Sequence, residues 1–169
     1  MRIISAIKNM FTSNYKRALK NGLNVGKGVR IIGGVHFGSE PYLITLEDEV
    51  AISSNVTFIT HDGGTWAFRD LPKYKDVIKY GKIHIGKRTL VGHNSIIMPG
   101  VKIGERCVIG TGSIVTKDIP DGSVVVGAPA RVVMTTEEYA EKCLNNMKPY
   151  DKEKYLSNKK EYLLNWLDD

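Results

Sequence analysis

The sequence predicts a parallel β-helix, because aliphatic residues recur at six-residue intervals over much of the chain. The longest unbroken series, whose members we call rungs, consists of Ile85, Val91, Ile97, Ile103, Ile109 and Val115. Neither the helical period of 3.6 nor the strand period of 2 produces this spacing. A second series lies four residues after the rungs and is small or aliphatic: Val29, Val35, Val50, Val56, Thr89, Ser95, Val101, Cys107 and Ser113. Such a hexad repeat is typical of a coil in which each short strand is followed by a corner.

The repeat begins near residue 25 and changes register once before residue 60. The rungs in this part are Val25, Ile31, Phe37, Leu43, Leu46, Ile52 and Phe58. A three-residue slip around Tyr42–Thr45 separates the first four from the last three. Three hexads are expected to complete one turn of a triangular coil, and successive turns then pair as parallel strands about 4.8 Å apart.

Glycine often directly follows a rung, at Gly26, Gly38, Gly86, Gly92, Gly104 and Gly110. Glycine adopts backbone conformations that a Cβ disfavours. We therefore expect these glycines to form the corners of the coil.

The N-terminus reads as an amphipathic helix over residues 2–20, ended by Gly22. Ile3, Ile7 and Phe11 form its apolar side, and basic residues such as Arg17 lie on the other side. Such a helix either packs on the body or a neighbouring subunit, or lies on an anionic membrane surface. The predicted organisation is an N-terminal helix over 1–22, a β-helix over 23–131 and a helical extension over 132–169.

Residues 60–82 interrupt the repeat with a polar and aromatic segment that contains Gly63–Gly64. A loop of this length without secondary structure is usually functional or disordered. Its aromatic side chains, Trp66, Phe68 and Tyr74 among them, argue against disorder. We expect an ordered excursion loop that leaves the coil and packs elsewhere.

The hexad period stops after Arg131, and helical signals follow. The segment Thr135–Glu138 has the capping-box pattern and predicts a helix that ends before Pro149. Asp151 is placed to cap a second helix, on which Leu156, Leu163 and Leu167 share one face with aromatic residues beside them.

The charge of the chain favours an anionic partner, and the lack of targeting or membrane-spanning signals favours an intracellular location. The chain of 169 residues has a net charge of +6 and a pI of about 9.2, and the excess of basic residues lies before residue 132. This indicates an anionic small molecule, a glycan or a membrane surface, and no nucleic-acid-binding motif accompanies the charge. Cys107 is expected to be a buried free thiol. With neither a signal-peptide pattern nor a span-length apolar run, we expect a cytoplasmic location, with the inner membrane surface as an alternative contact.

The run IHIGKRTLVGHNSIIMPGVKIGERCVIGTGSIVTKDIPDGSVVVGAPARVV resembles the hexapeptide-repeat acyltransferases. It is most similar to the branch of galactoside, maltose, virginiamycin-type and capsular-polysaccharide O-acetyltransferases, and the resemblance covers residues 25–131. MPGVKIG, IGTGSIVTKDIP and GAPAR are the most diagnostic segments. The resemblance implies a left-handed coil, a homotrimer with active sites between subunits, and acetyl-CoA as acyl donor.

The resemblance makes His61 the general base. A neutral imidazole can accept a proton from a hydroxyl at pH 7, and His61 stands where the repeat gives way to the excursion loop. The acyl group would pass directly from acetyl-CoA to the acceptor in a ternary complex. Asp62 is a candidate to orient the imidazole or to bind substrate, and Trp66 and Arg69 are candidates to contact a sugar; Trp66 could equally anchor the loop.

The resemblance also implies a set of coenzyme A contacts: His93, Thr111, Gly112, Thr116, Lys117 and Arg131. Lys117 and Arg131 would meet phosphates, since basic side chains pair with them directly. The other positions would line the pantetheine channel.

Three positions depart from the family pattern. Val132–Met134 stands where a further basic residue is common, and Leu90 stands where an aromatic is common. No asparagine near Ile31–Gly34 matches the acceptor-binding asparagine of the galactoside enzymes, which argues against galactoside or maltose as acceptor.

The remaining histidines and three alternative functions complete the set of hypotheses. His36 and His84 are expected to face outward, and the paired metal-ligand pattern of the γ-class carbonic anhydrases is missing, so no metal is expected. O-acetylation of a sugar in a surface polysaccharide or its precursor is the preferred function. The alternatives are N-acetylation of a nucleotide-linked amino sugar, streptogramin acetylation, and a non-catalytic hexapeptide scaffold.

Overall fold

The computed structural model describes residues 14–168, and their strands wind into a left-handed parallel β-helix. Twelve coil strands come first: β1 Asn24–Val25, β2 Arg30–Ile31, β3 Val35–His36, β4 Ile44–Leu46, β5 Ala51–Ile52, β6 Val56–Phe58, β7 Ile83–Ile85, β8 Leu90–Val91, β9 Ile96–Ile97, β10 Lys102–Ile103, β11 Val108–Ile109 and β12 Ile114–Val115. The other elements are the helix α1 over 14–20, the strands β13 Ser123–Gly127 and β14 Ala130–Thr135, and the helices α2 Thr136–Asn145, α3 Lys152–Ser157 and α4 Lys159–Asp168. Two short 3₁₀ helices, Pro41–Leu43 and Gly63–Phe68, lie between strands.

Three sheets form the three faces of the coil. Face A contains β1, β4, β7 and β10; face B contains β2, β5, β8, β11, β13 and β14; face C contains β3, β6, β9 and β12. The chain passes from A to B to C and back to A, so each turn crosses an A–B edge, a B–C edge and a C–A edge. The pairings among these strands are all parallel except that of β13 with β14, which is antiparallel.

The register between turns follows the sequence repeat. Ile85 pairs with Ile103, 18 residues later, which is three hexads. Val25 instead pairs with Leu46, 21 residues later. The three extra residues form the 3₁₀ helix Pro41–Leu43 at the C–A edge, so the predicted slip is confirmed.

The core is the stack of rungs inside the coil. The rungs from Ile85 to Val115 are all 0% exposed, and the second inward series is buried from Val35 onward. Cys107 is a buried free thiol, as predicted. Among the described residues of the N-terminal helix, Ala18 is buried and the Tyr15 ring lies 6.1 Å from that of Phe37. This portion packs on the first turn of the coil, while the predicted helix before residue 14 lies outside the described residues.

Most of the glycines that follow a rung allow close contact between adjacent turns and do not form the predicted corners. A Cβ on Gly92 would lie 2.6 Å from the carbonyl oxygen of Ile109 in the next turn, and one on Gly86 would lie 2.6 Å from the carbonyl carbon of Gly104. Neither glycine has a positive φ. These positions therefore require glycine because adjacent turns approach so closely there.

The left-handed corners fall two residues later in most hexads. Eight residues that stand three after a rung have positive φ, and five of them are not glycine: Gly28, Glu49, Asn55, Arg88, Asn94, Gly100, Arg106 and Gly112. Asparagine tolerates this region, and each other side chain there carries a cost of about 1–2 kcal/mol. The corner expectation is confirmed at Gly38, whose φ is 66°, and is wrong at the other five glycines that follow a rung.

The end of the coil differs from the prediction at residues 132–135. These residues are not helical but belong to β14, which folds back on β13 at the end of face B. The capping box then forms as predicted, since Thr135 Oγ1 accepts from Glu138 N and Glu138 Oε2 accepts from Thr135 N.

Residues 140–169 cluster as a second compact unit. Asp151 caps α3 by accepting from Glu153 N and Lys154 N, as predicted. The expected single helix after Asp151 is divided at Asn158, whose non-helical backbone separates α3 from α4. Serine and asparagine at 157–158 are weak helix formers, which explains the break. No helix within residues 14–168 is long and apolar enough to cross a membrane.

The close contact at Gly92 yields a stability prediction. Gly92→Ala should lower the free energy of unfolding by about 1–3 kcal/mol, because its Cβ would press on the backbone of the next turn. Gly63→Ala is the control, since a Cβ there meets nothing within 4 Å, and its effect should stay within about 0.5 kcal/mol. Denaturant unfolding at one fixed protein concentration measures both. Equal stability of the Gly92 variant and the parent would refute this account of the glycines.

Candidate active site

The excursion loop leaves the coil and returns to it at a single point on the C–A edge. His61 and Tyr80 form an antiparallel bridge, and Asp62 N donates to Lys79 O at 2.9 Å. Gly81 N donates to Thr60 O, also at 2.9 Å. These bonds close a neck at the base of the loop, and His61 stands in that neck.

His61 is paired with a carboxylate from the preceding turn of the coil. Its Nδ1 lies 3.1 Å from Oε2 of Glu40, and its ring centroid lies 5.6 Å from that of Tyr80. The His61 side chain is 46% exposed, whereas that of Glu40 is 14% exposed. The imidazole therefore has one protected nitrogen and an accessible side.

Glu40 is held by a second hydrogen bond, because the Thr60 hydroxyl donates to the same Oε2 at 2.6 Å. This bond, followed by those from Ser39 and His61, lowers the pKa of Glu40 below its ordinary value, although burial opposes the shift. Sequence reasoning missed Glu40. The available signal was its position directly before Pro41, at the start of the three-residue slip, and 21 residues before His61.

Asp62 does not contact the His61 imidazole. Its Oδ1 accepts from Gly64 N at 2.9 Å, and its Oδ2 accepts from Lys79 Nζ at 2.8 Å. The Lys79 hydrogen bond, then that from Gly64, lowers the pKa of Asp62. Both oxygens of Asp62 are therefore engaged within the loop, where the carboxylate caps the 3₁₀ helix Gly63–Phe68, and the carboxylate that bonds to the imidazole is that of Glu40.

A groove of about 290 Å³ opens beside the imidazole. It is lined by His61, Asp62, Gly63, Thr65, Trp66, Arg69, Ile78, Lys79 and Tyr80. Trp66 is 77% exposed, and Arg69 is steadied by a 3.1 Å bond from Nη2 to Thr65 Oγ1. The groove thus offers an aromatic face and cationic groups next to a potential base, which suits a polar ring bearing hydroxyls.

Three of the predicted coenzyme A residues meet at the B–C edge. Gly112 N donates to His93 O at 2.8 Å, and Thr111 is adjacent. All three residues are exposed. A Cβ on Gly112 would meet nothing within 4 Å, so this edge has an open strip of backbone.

Thr116 and Lys117 lie instead on the C–A edge, together with His61. They directly follow β12, which is two strands from β6, and His61 comes soon after β6. That separation corresponds to about 10 Å along the coil axis. Both residues are exposed, so the Lys117 ammonium is available on the same edge as the imidazole.

Arg131 lies on β14 and pairs with Val126 of β13. Val125, one residue earlier, pairs with Ile109, so Arg131 stands near the B–C edge that holds Thr111 and Gly112. Its Nη1 donates to its own neighbour Ala130 O at 2.9 Å.

The predicted site residues therefore form two clusters, one on each edge of face C. His61, Thr116 and Lys117 occupy the C–A edge, while His93 and Arg131 mark the B–C edge. Five residues of extended chain, from Gly112 to Lys117, span at most about 17 Å. Within one chain, face C separates the two clusters.

His36 and His84 lie apart from the groove, as expected. His84 on face A pairs with Glu47, with 2.9 Å between Nε2 and Oε1. Within residues 14–168, no three His, Cys, Asp or Glu side chains are grouped to hold a metal ion.

Comparison with known proteins places this geometry in a family. The profile described as "Hexapeptide repeat of succinyl-transferase" matches residues 82–117. Protein CapG of Staphylococcus aureus is 46% identical over 167 residues, which cover 94% of this chain and 95% of CapG.

Solved structures share the fold. A maltose O-acetyltransferase from Clostridium difficile 630 aligns with a TM-score of 0.55 and 26% identity, over 72% of this chain and 73% of that one. A point mutant of AntD, an N-acyltransferase from Bacillus cereus in complex with dTDP and coenzyme A, aligns with a TM-score of 0.51 and 25% identity, over 73% and 80% of the two chains. The chain belongs to the family of hexapeptide-repeat acetyltransferases.

Proposed function

We propose that this protein transfers an acetyl group from acetyl-CoA to a sugar hydroxyl, in a surface polysaccharide or its precursor. The observation that carries the proposal is the groove at the neck of the excursion loop, where an accessible imidazole stands beside Trp66 and Arg69. The likeness to a maltose O-acetyltransferase supports this type of reaction. The departure near Ile31–Gly34 still argues against maltose itself.

In this proposal His61 is the general base. The imidazole takes the proton from the acceptor hydroxyl while the oxygen attacks the thioester carbonyl carbon, forming the new C–O bond. The tetrahedral intermediate then collapses, the C–S bond breaks, and the imidazolium returns its proton to the thiolate of coenzyme A. Both substrates are present together, so positioning supplies much of the rate in addition to the base.

Trp66, Arg69 and Asp62 are assigned to the acceptor. An exposed indole face can stack on a pyranose ring, and the Arg69 guanidinium retains donors beyond the one bound to Thr65. Asp62 is already engaged with Lys79, so it would contribute through that pair rather than as a free carboxylate. This arrangement favours an acceptor that carries hydroxyls and an acidic substituent.

The donor is assigned to the two edges of face C. Lys117 and Arg131 would pair with the phosphates of coenzyme A, and exposed backbone at His93, Thr111 and Gly112 would leave room for pantetheine, with Thr116 beside it. The coenzyme A complex of AntD supports a donor of this kind. Because face C separates the two clusters within one chain, a complete site would combine edges from neighbouring subunits.

A homotrimer satisfies this requirement, and the outer faces of the coil suit it. The outward positions of face A are polar: Asn24, Thr45, His84 and Lys102. Those of face C include Ile96 and Ile114, and those of face B include Leu90 and Val108. A cyclic trimer uses two different surfaces on each subunit, and the apolar outward residues lie on the later turns of faces B and C, after polar ones such as Arg30 and His36 on the earlier turns.

N-acetylation of a nucleotide-linked amino sugar is the second candidate. It is favoured by the likeness to AntD, an N-acyltransferase bound to dTDP and coenzyme A. Release of free thiol from acetyl-CoA, measured against a panel of sugars, glycan precursors and nucleotide-linked amino sugars, distinguishes the two. Turnover only with amino sugars, and an alkali-stable product, would select the amide-forming reaction.

His61→Ala is expected to lower kcat by at least about a hundredfold, since it removes the base. Coenzyme A binding should stay within a few-fold of the parent, because His61 is not assigned to the donor. Thiol release measures the first quantity. Thermal unfolding with and without coenzyme A measures the second, since ligand at 100 times Kd adds about 2.7 kcal/mol. Near-normal turnover by the variant would show that the base lies elsewhere. If coenzyme A did not raise the unfolding temperature of the parent, acetyl-CoA would be excluded as the donor.

Lys117→Ala is expected to raise the KM for acetyl-CoA several-fold, because a charge-assisted phosphate contact is lost. The KM for the acceptor and kcat should change little. Lys87→Ala, on the A–B edge, is the matched control and should leave both KM values unchanged. If Lys117→Ala altered the acceptor KM alone, the donor assignment would be incorrect.

Ile96→Glu is expected to dissociate the trimer, because it buries a charge in the apolar contact proposed for face C. Thr45→Glu on face A should leave the assembly intact. Light scattering coupled to gel filtration gives the mass, which for the parent should be three times the 18.8 kDa of one chain. A trimeric Ile96→Glu protein, or a monomeric parent, would argue against this interface.

A further inference from the structure

Glu40 occupies a helix N-cap position without serving as the cap. It directly precedes the 3₁₀ helix Pro41–Leu43, yet its side chain makes no capping hydrogen bond to that helix. Asp62 and Asp151, the comparable residues before the 3₁₀ helix Gly63–Phe68 and α3, both accept backbone N–H groups there. The Glu40 carboxylate is directed instead to Thr60 and His61.

The geometry determines what Glu40 can do for the imidazole. An ionised carboxylate only accepts hydrogen bonds, and the Thr60 hydroxyl already donates to Oε2 at 2.6 Å. His61 Nδ1, 3.1 Å from the same oxygen, must therefore carry the second hydrogen. The lowered pKa of Glu40 keeps the carboxylate charged near neutral pH. In a neutral imidazole, a hydrogen on Nδ1 leaves Nε2 as the acceptor.

We infer that Glu40 is a positioning residue for the transfer reaction: it holds the Nδ1–H of His61, so that Nε2 accepts the proton of the acceptor hydroxyl. Thr60 fixes the carboxylate in turn, and the three groups form a chain across two turns of the coil. The inference rests on the proposed function, because it assigns Glu40 a role only through His61. The same carboxylate stabilises the imidazolium that forms during the reaction.

The chain contains a matched pair that lacks this arrangement. Glu47 and His84 lie 2.9 Å apart on face A, away from the groove. Glu47 Oε2 also accepts from Lys87 N, which gives that carboxylate a structural use. Glu47→Ala thus removes a glutamate–histidine contact of similar length without touching His61.

The test is a double-mutant cycle on kcat, measured by thiol release with saturating acetyl-CoA. Glu40→Ala should lower kcat by about a hundredfold, since it disables the general base, and should leave both KM values within about threefold. Glu40→Gln, whose amide oxygen can still accept from Nδ1–H, should fall between this variant and the parent. Glu47→Ala should keep the parental kcat. Glu40→Ala in the His61→Ala background should cost less than about twofold, because residues that act as a unit are not additive.

Each contrary result has a distinct meaning. The positioning role would be overturned if Glu40→Ala lowered kcat by about the full hundredfold in the His61→Ala background as well. It would also be overturned if Glu40→Ala raised the acceptor KM and left kcat unchanged. Either result would leave the proposed function standing. An active His61→Ala protein would show that the base lies elsewhere and would overturn this inference with it, whereas the absence of thiol release by the parent with every acceptor tested would overturn the proposed function itself. If Glu40→Ala is unstable, two-bond ¹H–¹⁵N spectra of histidine-labelled parent and Glu40→Gln decide the question. The parent should show His61 as the Nδ1–H tautomer, and the Nε2–H tautomer there would overturn the inference.

Discussion

The parallel backbone hydrogen bonds between successive turns are the interaction on which the rest of this structure depends. They hold adjacent turns so close that Gly92 and Gly86 have no room for a Cβ. They also align identical hexad positions in columns, which stacks the rungs into a continuous apolar core. Because the columns are fixed, a residue's place in its hexad decides whether it faces the core, an outer face or an edge.

The candidate site residues of the coil lie along its edges. Two departures from the hexad repeat occur on the C–A edge, the three-residue insertion at Pro41–Leu43 and the excursion loop after Thr60. They lie in consecutive turns, so they bring Glu40 and His61 together although 21 residues separate them. Lys117 stands farther along the same edge, and face C divides this cluster from the one at His93 and Gly112.

The sequence predicted the fold closely because the fold is periodic. The buried rungs, the slip before Leu46, the capping box at Thr135 and the cap at Asp151 all follow from local spacing or local chemistry. Glu40 was missed because its partner, His61, lies in the next turn of the coil. The sequence shows which residues of two turns are neighbours only when the three extra residues of the slip are added to the 18-residue repeat. The misassigned glycines have the same cause, since a close approach between turns leaves no local trace. Asp62 was a candidate to orient the imidazole because adjacency in sequence was the only guide, whereas its carboxylate bonds to Gly64 and Lys79.

Because its neck is closed, the excursion loop is under different structural constraints from the coil. The loop departs after Thr60 and rejoins at Gly81, and these two residues are bonded to each other, so the coil beneath continues as though the intervening residues were absent. Residues within the loop can change in length and composition without altering the register of any rung. Under the proposed function, the coil holds His61 and the donor edges in place, while the loop, which carries the acceptor candidates Trp66 and Arg69, can differ in length without disturbing them.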